Sequence, residues 1–175
     1  MQSQVYINQA LGKAGTIARL NPCEKIPVVA EGSAVVAGGF VFEGTDPETQ
    51  VIGCSASTSS KTADDIAGVA VFERQQLGLS ASNSMAINEG EELAKVRKGY
   101  VYVVSATASS HGESVCVNPS TGEIKTATVT YTSSADTVTG EITTTASGIP
   151  ASCIDTGWKV ETGNAAGQPC EIYKI

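Results

Sequence analysis

The stretch INEGEELAKVRKGYVYVV, residues 87–104, poses the first structural choice in this chain. Six charged side chains stand in its first twelve positions, and they are Glu89, Glu91, Glu92, Lys95, Arg97 and Lys98. Such a cluster is compatible with an acid–base site, and it is equally compatible with the solvent-exposed face of a β-hairpin. The placement of glycine and of the apolar residues separates these two interpretations.

Glycine punctuates the stretch and predicts turns. Asn88-Glu89-Gly90 and Lys98-Gly99 are typical turn sequences, because glycine adopts positive φ without a steric cost. Between them apolar residues alternate with basic ones, and a second apolar run extends from Tyr100 to Val104. We therefore predict a hairpin whose charges lie on turns and on one solvent-exposed face. A helix over residues 88–98 is the alternative, since E-E-L-A-K-V-R contains good helix formers, but the flanking glycines leave it fewer than three turns.

The composition of the whole chain indicates the same class of fold. Its 175 residues suit one domain with a single core. Serine and threonine supply 36 residues and glycine another 18, whereas only 5% are aromatic. This composition is typical of many short strands joined by turns. From Val28 onward β-branched runs alternate with turn sequences, and no helical period alternates with the strands. The run VVAEGSAVVAGGFVF (28–42) is split at Glu31-Gly32 and Gly38-Gly39, SVCV (114–117) and IKTATVTYT (124–132) predict a hairpin, and two further strands are predicted around Trp158 and around Ile172-Tyr173. We therefore predict an all-β protein, an antiparallel β-barrel or sandwich over residues 28–175.

Charge and hydropathy exclude two classes of partner. Eleven basic residues stand against 18 acidic ones, which gives a net charge of −7, and no basic patch suggests a nucleic-acid partner. The richest apolar run, AVVAGGFVF at 34–42, is far shorter than the ~20 residues that span a bilayer. The first residues lack the basic start and apolar run of an export signal. We expect neither nucleic acid nor membrane as a partner.

The five cysteines give no sign of a metal site or of a disulfide framework. They stand at positions 23, 54, 116, 153 and 170, are odd in number, and include no C-x-x-C pair. Structural zinc requires closely spaced pairs of ligands. Because no export signal is visible either, we predict five reduced thiols, as in a protein made in the cytosol.

Other motifs suggest chemistry, and each has a simpler structural interpretation. Asp155-Thr156-Gly157 resembles the motif of aspartic proteases, but only 18 residues follow it, so we interpret it as a turn between strands. His111, the only histidine, lies in a Ser/Gly turn without the P-C-x-x-C partner of a deaminase. Asp64-Asp65 and Glu91-Glu92 are interpreted as solvated loop carboxylates, because no calcium-binding loop is present. We predict no catalytic, cofactor-binding or metal-binding residue.

Two segments stand apart from the predicted barrel. Residues 1–27 lack a clean period and are predicted to form an extended N-terminal arm. The arm is too apolar for a segment that meets only water, and the side chains we expect to bind a partner are Val5, Tyr6, Ile7, Leu11, Ile17 and Leu20. Residues 126–147 are rich in threonine on both faces, so we predict an exposed β-ribbon that leaves the barrel.

Glycine-punctuated motifs follow the arm in a distinctive order. They are VAGGFV (36–41), IAGVA (66–70), GEELAKVRKGYVYV (90–103), the segment from Gly112 to Gly122, and the segment from Trp158 to Gly167. In this order they resemble the structural cement proteins of tailed-phage heads, the gp24-like decoration family. The likeness spans most of residues 1–125 and 150–175, whereas the Thr-rich ribbon is longer than the family pattern requires.

The resemblance implies a small jelly-roll-like barrel that serves as a capsid cement. Such a protein binds the outside of an assembled phage head, bridges neighbouring subunits of the major capsid protein and stabilises the shell. The implied partners are the major capsid protein and other copies of the chain itself, as a dimer or a trimer. The implied location is the exterior of a virion that assembles in the cytoplasm of a bacterial host. No cofactor and no catalysis are implied.

Two other classes of function remain as alternatives. One is a carbohydrate-binding or spike/fibre β-sandwich of a virion, although sugar-binding faces favour exposed aromatic residues and this chain has one tryptophan and five tyrosines. The other is an enzyme, against which the lack of a convergent acid–base set argues.

Overall fold

The structure is built almost entirely from β-strands. The computed structural model describes residues 12–71, 86–135 and 142–175. Its strands are β1 (Ile17–Ala30), β2 (Val35–Val36), β3 (Phe40–Glu43), β4 (Gln50–Gly53), β5 (Ile66–Val71), β6 (Ala86–Ile87), β7 (Glu92–Val104), β8 (Ser114–Val117), β9 (Ile124–Ala127), β10 (Thr130–Ala135), β11 (Ile142–Ser147), β12 (Ile154–Thr162) and β13 (Pro169–Lys174). Two short 3-10 helices, Ala56–Thr58 and Ala63–Asp65, lie between β4 and β5. The predicted all-β, jelly-roll-like class is confirmed.

β7 is the central strand, and it corrects the prediction made from its sequence. It runs unbroken through Lys98-Gly99, so the predicted hairpin is wrong, and so is the alternative helix. One edge of β7 pairs with β1, while the other edge pairs first with β5 and then with β13. Both halves of the fold therefore share this strand.

Gly99 lies in β7 because β1 passes too close for a side chain. Its φ is 133°, and a Cβ there would lie 2.9 Å from the carbonyl oxygen of Pro22 and 3.1 Å from the Cα of Cys23. The register between β1 and β7 also shifts on both sides of Glu24. Glycine is thus required by a contact between two strands distant in sequence, whereas the local pattern indicated a turn.

Five strands form a closed ring around a small core. Their order is β1-β4-β3-β5-β7, and β7 pairs back to β1. The β1–β4 contact is parallel, and the other contacts of the ring are antiparallel. Closure leaves none of these strands as a free edge. The smaller core consists of Val28, Ala30, Val35, Val41, Val51, Ala67, Ala70, Ile87 and Leu93.

A larger core covers the outside of the ring. The main sheet continues from β7 through β13, β12 and β8 to β9. Side chains alternate along the strands, so Val41 faces the smaller core while Phe40 and Phe42 face the larger one. Trp158 is fully buried there, and its ring meets that of Phe40 edge to face at 6.3 Å between centroids. Burial of one such aromatic side chain contributes about 1.5–3 kcal/mol.

The first part of the chain belongs partly to this sheet. β1 begins at Ile17, whose Cα partner is Val101, and it continues past position 27 to Ala30. Residues 17–27, which we grouped with the arm, therefore pair with β7. Residues 1–11 lie outside the described part of the chain. The apolar runs predicted after Val28 are found as β1, β2 and β3, separated at Glu31-Gly32 and Gly38-Gly39.

The later hairpins match the prediction more closely. β8 and β9 pair antiparallel around a turn in which Gly122 N donates to the carbonyl of Asn118 at 2.8 Å. β12 and β13 pair as the last two strands. β10 and β11 form a separate two-stranded ribbon. Because β9 belongs to the main sheet, the ribbon begins at Thr130 and not at residue 126.

Lys95 is buried, whereas the sequence predicts it on the solvent-exposed face of β7. The side chain lies beside Ala70 on the face of the smaller core and is 3% exposed, whereas Arg97 and Lys98 are exposed as predicted. Its Nζ donates to the carbonyl oxygen of Pro47 in the β3–β4 loop at 3.0 Å. Burial lowers the pKa of Lys95, and the charge of Arg97 lowers it further, while Glu43 opposes the shift. Protonation of the amine is therefore less favourable in the folded chain than in the unfolded one.

The close approach at Gly99 generates the first prediction. Gly99→Ala adds both backbone strain and a clash with the Pro22 carbonyl, so we expect the free energy of unfolding to fall by about 3 kcal/mol or more. Gly90→Ala is the matched control, because Gly90 has φ 81° but open space around its Cα. It carries only the strain, about 1–2 kcal/mol. Urea unfolding measures both, and equal losses would contradict the role given to the β1–β7 contact.

The buried amine of Lys95 generates a pH-dependent prediction. The pKa of Lys95 in the folded chain lies below the ordinary value of 10.5. At a pH between these two values the unfolded chain binds more protons than the folded chain, so the free energy of unfolding rises with pH there. The variant Lys95→Met lacks this contribution. We expect the difference in unfolding free energy, wild type minus variant, to increase as the pH rises towards 10.5. Thiol and tyrosine titrations are common to both proteins and cancel. A difference that stays constant over this range would show that the amine is well solvated.

Candidate functional site

Asp155-Thr156-Gly157 forms a bulge inside β12 and not the predicted turn between strands. The register with β8 shifts between Asp155 and Trp158, and Gly157 has φ 72°. Asp155 Oδ1 accepts a hydrogen bond from Gly157 N at 2.9 Å, and Oδ2 accepts one from the Tyr131 hydroxyl. The hydrogen bond to Asp155 is the main cause that raises the pKa of Tyr131 to about 12. The carboxylate fixes the bulge and the base of the ribbon.

The other candidate acid–base residues also have structural partners. The Nδ1 of His111 lies 2.7 Å from the carbonyl oxygen of Glu161, with which it shares a hydrogen bond. Asp65 accepts hydrogen bonds from the amide and the hydroxyl of Thr62, which lower its pKa, and it caps a 3-10 helix. Asp64 is exposed. Within residues 12–71, 86–135 and 142–175, no group of three or more His, Cys, Asp and Glu side chains is placed to hold a metal ion.

All five cysteines are free thiols in the structure. Burial raises the pKa of Cys54 to about 11 and is the largest cause that raises the pKa of Cys116 to about 12. Thiols with such values stay protonated at neutral pH and are poor nucleophiles. In the described part of the chain, no helix is both long and apolar enough to cross a membrane.

The predicted partner-binding residues of the arm fall into two groups. Val5, Tyr6, Ile7 and Leu11 lie outside the described residues. Ile17 is half-buried and packs against the larger core of its own chain, whereas Leu20 is 88% exposed.

A network of hydrogen bonds and charges fixes the root of the arm, which we define as residues 12–19. Gly15 N donates to the carbonyl of Tyr102 at 2.8 Å, and Tyr102 N donates to the carbonyl of Thr16 at 3.0 Å. Arg19 forms ion pairs with Glu161 at 3.0 Å and with Glu171 at 2.8 Å. The arm therefore leaves a rigid part of the fold.

Arg19 ties together four neighbouring strands. Its guanidinium lies 4.2 Å from the centre of the Tyr100 ring, which stacks on Tyr173 with 5.7 Å between centroids. Its two carboxylate partners, Glu161 and Glu171, belong to β12 and β13. Sequence reasoning missed this network, because Arg19 is more than 140 positions from either carboxylate and no local pattern connects them.

An apolar groove lies beside the root of the arm. It encloses about 450 Å³, and its lining includes Val36, Phe40, Cys54, Val104 and Ile124. Val36 is 57% exposed and Val104 is 41% exposed, so apolar surface reaches the rim. The first wall is the glycine-rich VAGGFV segment that we singled out for its resemblance. The other wall comes from β7 and the β8–β9 turn, so the groove is visible only in the folded chain.

The ribbon of β10 and β11 exposes mostly polar side chains. Thr130, Ser133, Thr144 and Thr145 are exposed, and Ser133 and Thr144 hydrogen-bond each other at 3.2 Å across the strands. Tyr131 is 53% exposed, although its hydroxyl contacts Asp155. The ribbon is thus tied to the barrel at its base, and its exposed side chains that the structure describes are mostly polar.

Comparisons with known proteins identify the family. A family model described as structural cement protein (E217 gp24/Pam3 gp6) matches residues 1–174. Among solved structures, a chain from the capsid of Myoviridae phage XM1 has a similar fold. It superposes with a TM-score of 0.59 at 14% sequence identity, and the match covers 99% of this chain and 96% of that one. No curated protein matches the sequence.

The family match covers nearly the whole chain, including the arm, both cores and the ribbon. It confirms the resemblance drawn from the order of the glycine-punctuated motifs, and it does not favour the carbohydrate-binding or spike/fibre alternative. A structural role also agrees with the finding that Asp155, His111 and Asp65 make hydrogen bonds within the fold. The chain belongs to the family of phage structural cement proteins, and its function is to stabilise a phage capsid as part of the virion.

Proposed function

We propose that the barrel sits on the outside of the phage head while the arm clasps neighbouring subunits of the major capsid protein or further copies of the chain. The single observation that carries this proposal is the rigid root of an apolar arm. Gly15 and Thr16 are hydrogen-bonded to Tyr102, and the segment that precedes them contains Val5, Tyr6, Ile7 and Leu11. The proposal includes no catalytic step and no cofactor.

The energetics favour an arm that is ordered by its partner. Burying four or five apolar side chains contributes roughly 1.5–3 kcal/mol each. Ordering eleven residues costs about 1–2 kcal/mol per residue for the backbone alone, which is a comparable sum. Over these ranges the ordering cost is as large as the gain from burial or larger, so a preformed partner surface is required to favour the bound state. Leu20, which follows the root in sequence, is exposed and adds apolar surface next to it.

The symmetry of a shell supports bridging. Many identical copies meet identical neighbours on a closed capsid, so one weak contact per copy is repeated over the whole surface. We propose that copies also contact each other, as a dimer or a trimer, on a shell assembled in the cytoplasm of the bacterial host.

Truncation of the arm tests the clasp. Deleting residues 1–11 preserves Ile17 and Arg19, which a longer deletion to Leu20 would remove together with their contacts to the barrel. We expect a soluble protein whose melting temperature lies within a few degrees of the full chain, because no described contact of the cores is lost. We also expect its occupancy on undecorated capsids to fall at least about tenfold, because the apolar contacts are lost. Cosedimentation with the capsids measures occupancy.

A full-length pair of variants separates arm chemistry from arm length. Val5, Tyr6 and Ile7 are changed together to serine in one chain. In its control, Gln2 and Gln4 are changed to serine, which leaves the apolar residues intact. Only the first variant is expected to lose occupancy. If the truncated chain and the serine variant both decorate shells as well as the full chain, the barrel face carries the attachment and the clasp is wrong.

We also propose that the outer part of the ribbon is a tolerant excursion. Replacing residues 133–144 by a short Gly/Ser link keeps Tyr131 and its contact with Asp155. We expect the melting temperature to change by no more than a few degrees. By contrast, Tyr131→Phe removes the hydrogen bond to a buried carboxylate and is expected to cost about 1–3 kcal/mol. Thermal unfolding of the two variants checks this, and collapse of the shortened chain would show that the ribbon supports the core.

A further inference from the structure

The ribbon of β10 and β11 is a two-stranded sheet with two open edges. The strands pair antiparallel with each other over their whole length, and in the described part of the chain neither pairs with a third strand. The hydrogen bond of Tyr131 to Asp155 ties the base of the ribbon to the barrel. Two paired strands alone are marginally stable in water, and further strands stabilise such a sheet. The open edges present backbone N–H and C=O groups with which a further strand can pair.

Two other strand edges are protected against such pairing. β1 extends beyond the closed ring, because only its last two residues pair with β4. The part beyond the ring contains Pro22 and Pro27, which lack an N–H, and its register with β7 shifts on both sides of Glu24. The outer edge of β9 is partly covered by residues 106–108. Proline, irregular register and a covering loop all hinder the addition of a strand.

The two strands of the ribbon contain none of these protective features. Neither β10 nor β11 contains a proline, a glycine or a charged residue, and no register shift interrupts their pairing. Each has four threonine or serine residues among its six. The acidic residues nearest in sequence are Asp136, which follows β10, and Glu141, which precedes β11. Because β-branched threonine also favours strands, the ribbon is suited to pairing along its edges.

β10 is the better placed of the two strands for such a contact. Its residues 130–134 are all exposed, whereas Ala146 of β11 is half-buried. The barrel also holds β10 in place, because Tyr131 belongs to this strand. β10 is therefore both accessible and fixed at its base.

Charge favours a second copy of the chain as the partner of β10. Each copy carries a net charge of −7, so two copies repel each other where their charged faces meet. β10 has no charged side chain, so this repulsion is weaker where two copies of β10 meet. Antiparallel pairing of the two places threonine and serine side chains opposite each other, and such pairs stabilise a sheet. A contact between two identical strands closes as a two-fold dimer.

We infer that β10 of one copy pairs antiparallel with β10 of a second copy, so that the two ribbons form one four-stranded sheet. The inference rests on the proposed contact between copies and names the surface that makes it. Each ribbon is tied to its barrel at the start of β10, so antiparallel pairing directs the two barrels to opposite ends of the shared sheet. The six residues of β10 span about 20 Å, which separates the barrels.

Site-specific photocrosslinking with isotope labels tests this inference on the full chain. One preparation carries Ser133→p-benzoylphenylalanine in unlabelled protein, and the second is the unaltered sequence labelled with ¹⁵N. The two are mixed in equal amounts, irradiated in solution and on capsids, and digested for mass spectrometry. We expect adducts that join an unlabelled peptide to a ¹⁵N peptide, both of which contain residues 130–135. Adducts only within one chain, to other parts of a second copy or to the major capsid protein would overturn the inference, and so would a lack of adducts.

Charge variants of β10 test the pairing itself. One variant carries Thr132→Glu with Ser134→Glu, and the other carries Thr132→Lys with Ser134→Lys. Both positions lie on the face of the ribbon opposite Tyr131, so the hydrogen bond to Asp155 is kept. We expect the photoreactive glutamate variant to give about tenfold fewer ribbon adducts with a ¹⁵N glutamate variant than with a ¹⁵N lysine variant, because like charges then meet across the shared edge. Equal yields from the two mixtures would contradict pairing through β10.

The same charges in another loop provide the matched control. Ala166 and Gln168 are exposed between β12 and β13. The control variants are Ala166→Glu with Gln168→Glu, and Ala166→Lys with Gln168→Lys, which have the same net charges as the β10 variants. We expect their two mixtures to give ribbon adducts within about twofold of each other, because charges outside the contact are screened by salt. A tenfold difference here as well would assign the effect to overall charge and overturn the inference. A melting temperature near that of the parent protein identifies folded variants of both kinds.

Deletion of the arm separates this inference from the clasp. If deletion of residues 1–11 abolishes decoration and no ribbon adducts form in the full chain, the inference fails while the clasp stands. If ribbon adducts form as expected and the shortened chain decorates capsids as well as the full chain, the clasp fails while the inference stands.

Discussion

The pairing of β1 with β7 is the constraint on which the rest of the structure depends. It closes the five-stranded ring, since without it β1 would be the edge strand of an open sheet. It supplies Val28 and Ala30 as one wall of the smaller core. It also holds the root of the arm, because the hydrogen bonds of Gly15 and Thr16 to Tyr102 continue the same ladder. The approach of Pro22 to Gly99 is the point where this ladder tolerates no side chain.

Closure of the ring also limits which strand edges are exposed. A cement protein must resist deformation without exposing strand edges that would pair indiscriminately. The ring has no free edge, and the outer edge of β9 is partly covered by residues 106–108, as Ala106 N donates to the Ile124 carbonyl at 2.7 Å. Among the described residues, Val36 and Val104 expose apolar surface at the rim of the groove.

Local patterns predicted the elements whose limits are set locally. β3, the β8–β9 hairpin and the last two strands are bounded by turn residues adjacent to them, and glycine and proline mark these turns directly. The order of such motifs was enough to identify the family. β7 was predicted wrongly because Gly99 serves a distant strand and only resembles a turn glycine.

The burial of Lys95 and the ion pairs of Arg19 could not be predicted either, since each depends on which strands become neighbours. The groove could not be predicted for the same reason, because its walls come from strands that are distant in sequence. Val36, Val104 and Ile124 come from three separate parts of the chain, and none has an unusual neighbour in sequence.

The direction of the β1–β7 ladder relates the arm to mechanical load. A pull on the N-terminus that acts along β1 would load the antiparallel ladder in shear, because the pairs from Ile17–Val101 to Val29–Glu92 share the force. Each backbone hydrogen bond contributes only about 0.5–1.5 kcal/mol, but bonds loaded together must break together. Arg19, bound to Glu161 and Glu171, reinforces the end of the ladder where an arm would apply the force. An arm attached to a loop would instead transfer its load to a few contacts in sequence, so attachment at the start of the longest strand suits a protein that holds a shell together.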